Sequence, residues 1–459
     1  MKKKTIYRCT SCDYESIGYM GKCPECNSWN TLVETLVEDK KKSRSQSVRL
    51  FEKKPIKKLG DITTTNSHRI ETSLKEFNRV MGGGIVKDSV TILTAKPGAG
   101  KSTLLLQVAN DLASKNHKIL YASGEESESQ LKARADRIIK EINQNMWVVS
   151  DNSMDNLLEN IEEIDPDFII VDSIQTFSLE GFPGSRAGSP TQTMECAYEL
   201  VKRAKNASRP RSIFIVGQMT KEDELAGVRA LEHLVDVVLM IEGESGEELR
   251  TLLTTKNRYG STGEMGFFNM SEEGMISIDN PSEYFMTKRE QEDSVSGSSL
   301  TVVREGTRPI ILEIESLVSD SFTPYPSRIG ECMRKDQLNT LISILEQRGG
   351  IKLYDKNVVI KTTGGIKLKE HASNLAVIMS IASSTFEIGI PNDTVFIADV
   401  GLTGELKKVP SLEARLREVD RIGFTKAIVP YGSTKKSGYS NLEVIQLKTL
   451  RDVINLIFN

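Results

Sequence analysis

An α/β protein built on a mainly parallel sheet is what this sequence predicts, and three observations predict it. Val90 to Thr94 is a short apolar run, followed by a Pro/Gly turn, Lys101-Ser102-Thr103 and an apolar helical stretch to Ala109. Phe168 to Val171 is a second apolar run, and it ends in Asp172. Strand-like and helix-like runs then alternate from about residue 59 to 275, the pattern of a parallel sheet with helices on both faces.

At 459 residues the chain has room for two or three domains with large cores. Its 60 Lys and Arg against 63 Asp and Glu give a formal net charge of −3. That excludes a general basic coat, so any nucleic acid must be met by local patches. With 38% hydrophobic and 27% charged residues the composition is that of an ordinary globular protein. No apolar run reaches the length of about eighteen residues that a transmembrane helix needs. The start, MKKKTIYRCTSC, is basic but lacks the apolar core of a signal peptide, and a cytoplasmic location is expected.

Residues 1–35 carry four of the six cysteines, as Cys9-x2-Cys12 and Cys23-x2-Cys26 with ten residues between the pairs. Each pair fits a tight turn, and two such turns close a tetrahedral four-cysteine zinc site. With no open coordination position the zinc is structural, a staple for a segment too short to have a core. Tyr7, Tyr14, Tyr19 and Trp29 are the residues expected to cover its small apolar surface. Residues 36–58 are dense in Lys, Arg and Ser without apolar periodicity and read as a basic linker.

The stretch from 59 to 275 holds the phosphate chemistry. Leu74 to Ile85 is an amphipathic turn ending in three glycines, just before the strand at Val90. In the turn after that strand, Gly98 and Gly100 let the backbone aim its N–H groups at phosphate oxygens, and Pro97 and Ala99 belong to the same nucleotide-binding turn. Lys101 is placed for the β- and γ-phosphates, Ser102 for Mg²⁺, and Thr103 opens the helix whose positive end faces the anion. Ala95 stands where the first glycine of G-x-x-x-x-G-K-[ST] is usual. A strand at Ile119 to Ala122 leads into Ser123-Gly124-Glu125-Glu126-Ser127. A carboxylate there can orient an attacking water; Glu125 is the choice and Glu126 the reserve, against the plainer role of an acidic pair at a helix N-terminus. Asp172 completes a Walker B pattern and holds Mg²⁺ directly or through water.

Gly181 to Thr193 reads as a long loop with Phe182 and Arg186, and a second loop after the strand Ser212 to Gly217 holds Lys221 and Arg229. Both lie at the carboxyl side of the sheet, where ligands of α/β folds gather, and Phe182, Arg186, Lys221 and Arg229 are the residues expected to meet DNA. Runs at 234–241 and 249–255 read as further strands. Lys256-Asn257-Arg258-Tyr259-Gly260 follows: a charged hairpin turn, or a pair of cations reaching the γ-phosphate of a neighbouring subunit.

The four-cysteine knuckle, MGGGI, the phosphate loop, SGEES, the Asp172 strand and KNRYG, in this order, resemble the bacterial RadA/Sms DNA-repair family. The resemblance implies a RecA-like P-loop core and a DNA-dependent ATPase in recombinational repair and the response to DNA damage. ATP, Mg²⁺ and Zn²⁺ would be its cofactors. Single-stranded and branched DNA, the RecA recombinase and a homo-oligomeric ring, six subunits in this family, would be its partners. Tyr259 replaces the Phe of the usual K-N-R-F-G, Asp13 a Gly, Tyr19 a Trp, and Gln218 a His placed to sense nucleotide state.

Residues 288–299 are polar and read as a linker within a second α/β domain at 285–459. Strands are expected near 300–303, 310–317, 358–362, 395–399 and 427–430, and helices near 336–348, 375–382 and 412–421. This pattern is similar to the proteolytic domain of Lon. There a serine in G-P-S-A-G and a lysine in G-G-L-K-E-K form the dyad, but Ala372 and Glu413 hold those positions here. Without hydroxyl and amine the dyad cannot act, so a non-proteolytic scaffold is expected. His371 stands where the family often has Pro. The alternatives to a DNA motor are an ATP-dependent protease and an ATP-regulated scaffold that does not hydrolyse.

Overall fold

The structure, a computed structural model, describes residues 3–9, 15–16, 20–22, 24–26, 28–29, 31–38, 58, 69–218, 227–243, 247–289, 294–434 and 438–459. Contacts divide the chain into Met1–Thr65 and Asn66–Asn459. In the smaller unit β1 (Lys3–Cys9) pairs antiparallel with β2 (Glu15–Ser16) and β3 (Leu32–Glu38). Trp29 departs from its expected covering role: it is 70% exposed, with the Lys22 amine 5.7 Å from its ring centroid. A cation over an indole face keeps a ring at the surface. Tyr14 and Tyr19 lie outside the described residues.

The larger unit begins with α1 (Lys75–Val80) and the fully buried strand β4 (Val90–Ala95). There follow α2 (Lys101–Ser114), β5 (Ile119–Ser123), α3 (Glu128–Ile138), β6 (Met146–Ser150), α4 (Met154–Ile164), β7 (Phe168–Asp172), α5 (Pro190–Ala204), β8 (Ser212–Gln218), α6 (Gly227–Leu234) and β9 (Val237–Glu242). Continuous runs such as Phe-Ile-Ile-Val suit strands covered on both faces. The six strands β9-β4-β8-β7-β5-β6 are parallel, and two apolar cores fill the space between sheet and helices, one on each face. Three antiparallel strands, β10 (Leu249–Asn257), β11 (Met265–Ser271) and β12 (Gly274–Ser277), extend the sheet beyond β9.

Several expected boundaries move. Pro190 to Thr193 belong to α5 rather than to the preceding loop, because Ser189 caps that helix and Pro190 is its first residue. The run at 234–241 is not one strand: Leu234 ends α6 and β9 starts at Val237. Beyond Thr255, β10 continues to Asn257 through a register shift, so Lys256 sits in a strand instead of a turn.

After the short α7 (Pro281–Tyr284) comes a second, mixed sheet. Its long hairpin is β13 (Ser298–Glu305) and β14 (Arg308–Asp320), joined by β15 (Arg328–Gly330), β16 (Lys356–Thr362), β17 (Thr394–Phe396), β20 (Lys426–Pro430) and β21 (Glu443–Leu447); β18 (Asp399–Val400) and β19 (Leu406–Lys407) pair separately. Helices α8 (Lys335–Ile344), α9 (Asn374–Phe386), α10 (Leu412–Ile422) and α11 (Leu450–Phe458) cover it. The expected linker at 288–299 is shorter, since Ser298 and Ser299 already belong to β13. Before it, Arg289 binds the fully buried Glu313; residues 290–293 lie outside the described set.

The two sheets of this unit share a core: Met265, Phe267 and Phe285 pack with Ile310, Leu312 and Ile314. A charge cluster reinforces the seam. Glu76, almost fully buried, accepts from Arg308 at 2.7 Å, from Arg79 and from the Phe267 N–H. Glu264 accepts from Arg79 at 2.8 Å and from Thr307. A β-carbon on Gly306 would lie 2.1 Å from the Gly263 carbonyl oxygen, so only glycine permits that approach.

Within the second domain Arg415 on α10 is fully buried and grips Glu370 with two bonds, of 2.7 and 2.6 Å. Arg415→Met would remove the cation from that carboxylate and leave it the Arg304 N–H, which donates at 2.7 Å. Denaturant unfolding should show a loss of about 2–3 kcal/mol, below the roughly 3–5 of a wholly buried pair because Glu370 is partly solvated.

Candidate functional site

β4 ends at Ala95, and residues 96–100 turn the chain into α2. Ala95 has no left-handed backbone, so its β-carbon is accommodated where a glycine is usual. Gly98 and Gly100 do need their freedom, with φ of 77° and 101°. The N–H groups of Lys101, Ser102 and Thr103 open α2 and have no partner inside the helix, so the turn presents donors and a positive dipole end to an anion. Lys101 folds back over the turn, its Nζ 3.1 Å from the Ala95 oxygen. Burial pushes its amine below the ordinary lysine range, against the pull of the Asp172 and Glu125 carboxylates.

Asp172 ends the neighbouring β7 and is largely buried. Its Oδ2 accepts from Ser102 Oγ at 2.7 Å and from the Tyr121 hydroxyl at 2.6 Å. Burial, then the Asp172 charge, pushes the Tyr121 phenol well above its usual range, so it remains a donor. Ser102 and Asp172 thus form the pair of hard oxygen donors that Mg²⁺ takes directly or through water, and their chemistry fits that ion.

Glu125 stands at the end of β5 and faces the same corner. Its Oε1 accepts from Gln218 Nε2 at 2.8 Å and from Ser173 Oγ. Glu126 turns instead toward α3 and pairs with Arg134. Gly124 brings this turn close to the segment after β7: an added β-carbon would sit 2.0 Å from Thr176 Oγ1. Gln218, at the end of β8, therefore joins the strand beside the phosphate turn to Glu125.

Lys256 and Arg258 lie elsewhere. Asn257 pairs with Val237, and Val237 pairs with Thr91. The two cations are therefore at the start of β4, while the phosphate turn follows its end. From Thr91 to Ala95 the strand rises about 13 Å. Lys256 Nζ donates to the carbonyls of Glu232 and Val235, the latter at 2.9 Å, and burial, then Arg258, lowers its amine. Arg258 Nη1 is 3.0 Å from Asp236 Oδ1.

Of the four residues expected at DNA, Arg186 is exposed on its loop. Phe182 is partly buried against the core beneath α5 and serves the loop as an anchor. Gln192, which sequence reasoning missed, pins the same loop: its amide bonds Leu179 N and O and the carbonyls of Phe182 and Ser185. Lys221 lies outside the described residues, and so does the side chain of Arg229, whose backbone is in α6.

Among the cysteines, Cys9 and Cys26 bring their sulfurs to 3.7 Å. Two vertices of a tetrahedron with metal–sulfur bonds of about 2.3 Å are roughly 3.8 Å apart, so the spacing fits zinc. Cys12 and Cys23 lie outside the described residues. In the second domain Ala372 and Ser373 are buried, and Ser373 donates to the Glu370 oxygen at 3.0 Å. Glu413 accepts from Thr434 at 2.7 Å and Tyr439 at 3.0 Å. His371 is exposed, its Nδ1 3.3 Å from Asn374 Nδ2.

Gly124→Ala should displace Glu125 while leaving the phosphate turn intact. Turnover of ATP should fall by about 10²-fold, with nucleotide affinity nearly unchanged in a fluorescent-nucleotide titration.

A family model described as an AAA domain matches residues 55–207, and one described as a rubredoxin metal binding domain matches residues 7–34. The DNA repair protein RadA of Bacillus subtilis is 43% identical over 463 residues, spanning 99% of this chain and 98% of its own. That of Listeria monocytogenes is 41% identical, over 94% and 92% of the two chains. That of Streptococcus pyogenes serotype M3 is 39% identical, over the full length of both. Identity of this order from end to end, together with the phosphate turn and the paired cysteines, means that the chain belongs to the RadA family of DNA repair proteins.

Proposed function

We propose that the protein is an ATP-hydrolysing motor of recombinational DNA repair, located in the cytoplasm. It works as a ring, of six subunits in the favoured reading, on single-stranded DNA and promotes branch migration with RecA. One observation carries the ring: Lys256 and Arg258 stand at the opposite end of the strand from their own phosphate turn. In this reading they serve the next subunit.

The site divides its tasks among named groups. The residues from Pro97 to Thr103 hold the triphosphate, and Lys101 neutralises its terminal phosphates. Ser102 and Asp172 would hold Mg²⁺, which supplies charge neutralisation between the phosphates. Glu125 orients the attacking water, and the neighbour's Lys256 and Arg258 meet the charge that develops on the transferred phosphoryl group. Gln218 carries the state of that corner toward the loops with Arg186 and Lys221, which with Arg229 and Phe182 form the DNA path. Cys9, Cys12, Cys23 and Cys26 would hold a structural zinc. Ala372 and Glu413 favour a second domain without protease activity.

ATPase assays with and without single-stranded DNA, on the wild type and Lys101→Ala, test the motor. DNA should stimulate the wild type, and the variant should lose about 10²-fold or more; equal rates in all four conditions overturn the reading. Metal analysis should find about one zinc per chain, absent in Cys26→Ser.

A further inference from the structure

Asp236 occupies the junction between α6 and β9, and its side chain is 1% exposed. Three donors lie at 3.0 Å from it, and the Tyr259 hydroxyl also interacts with this carboxylate. The Val90 N–H reaches Oδ2 at 3.0 Å, tying down the start of β4. Lys205 Nζ and Arg258 Nη1 each lie 3.0 Å from Oδ1. The Arg258 N–H also donates to the Asp236 carbonyl at 3.0 Å, so backbone and side chain are both moored to one residue. On either side, Lys256 is fixed by the carbonyls of Glu232 and Val235, and Tyr259 packs on the core.

The guanidinium itself is not consumed by this contact. Its side chain is 52% exposed, and among the described residues only Nη1 is engaged. An arginine has five N–H donors in a rigid fork, so one edge can be held while the rest face outward. A long side chain otherwise loses much rotamer freedom when a partner fixes it. A carboxylate that fixes it beforehand removes that loss from the catalytic step.

We propose that Asp236 is the positioning residue for Arg258, orienting its free N–H groups toward the triphosphate held by the adjoining copy of this chain. The inference rests on the reading above in which Arg258 acts across subunits.

Asp236→Asn tests it, because the amide oxygen still serves Val90. The kcat for ATP should fall about tenfold with KM changed by less than about twofold, since the phosphate turn is untouched. In an Arg258→Ala background the same change should cost nothing further, whereas a merely structural role would add its own loss. Lys205→Met, which removes the other cation on the same oxygen, should leave kcat within about twofold. Unchanged kcat in Asp236→Asn, an additive double variant, or an equal loss in Lys205→Met overturns the proposal. Arg258→Lys gives a second check at a site that does not touch the core: a compact ammonium cannot hold Asp236 and a phosphate together, so wild-type turnover there also overturns it. Mixing Lys101→Ala with Arg258→Ala chains separates the two claims. Recovered ATPase supports action across subunits, and no recovery overturns that reading itself. Recovery alongside unchanged kcat in Asp236→Asn overturns only the role of Asp236.

Discussion

The pairing of β4 on both sides, with β8 from Val90 to Ala95 and with β9 from Thr91 to Ala95, determines where the chemistry of this protein can be. A parallel strand delivers its loop at the carboxyl end, and the phosphate turn is there. The next strand out, β10, runs the other way and delivers its cations at the amino end. Neither end can be moved without breaking the ladder. In the proposed reading one subunit therefore has two half-equipped faces, an acceptor of phosphate and a donor of positive charge. The proposed ring follows from joining unlike faces, a heterologous contact that closes on itself when the rotation is right.

What could be read from the chain was what is local in it. The phosphate turn is a run of adjacent residues, and Asp172 ends an apolar strand, so spacing sufficed. The cysteine pairs declare their metal by the same means. Tyr121 is different: a phenol inside the apolar strand Ile-Leu-Tyr-Ala-Ser, it gains a role only when β5 is laid beside β7. Gln192 and Asp236 are likewise ordinary helix and strand-edge residues until the fold brings a loop or an arginine to them. A buried acid beginning the apolar run Val-Val-Leu-Met was the available signal for Asp236. Lys256 was placed in a turn because the register shift after Thr254, a tertiary adjustment against β9, leaves no mark in composition.

In the second domain the two positions that the sequence resemblance matches to a protease dyad hold other residues with other contacts. Glu413, at the position of the lysine, is held by Thr434 and Tyr439, and two residues on Arg415 clasps Glu370, two residues before Ala372. The two segments matched by that resemblance are joined by an ion pair.

The contact of Gly306 with Gly263 bears on how force travels. Two backbones meet with no side chain between them, beside carboxylates already saturated with arginine donors. Such a joint has little compliance. In the proposed motor, a displacement generated at one sheet would be passed to the other through this joint.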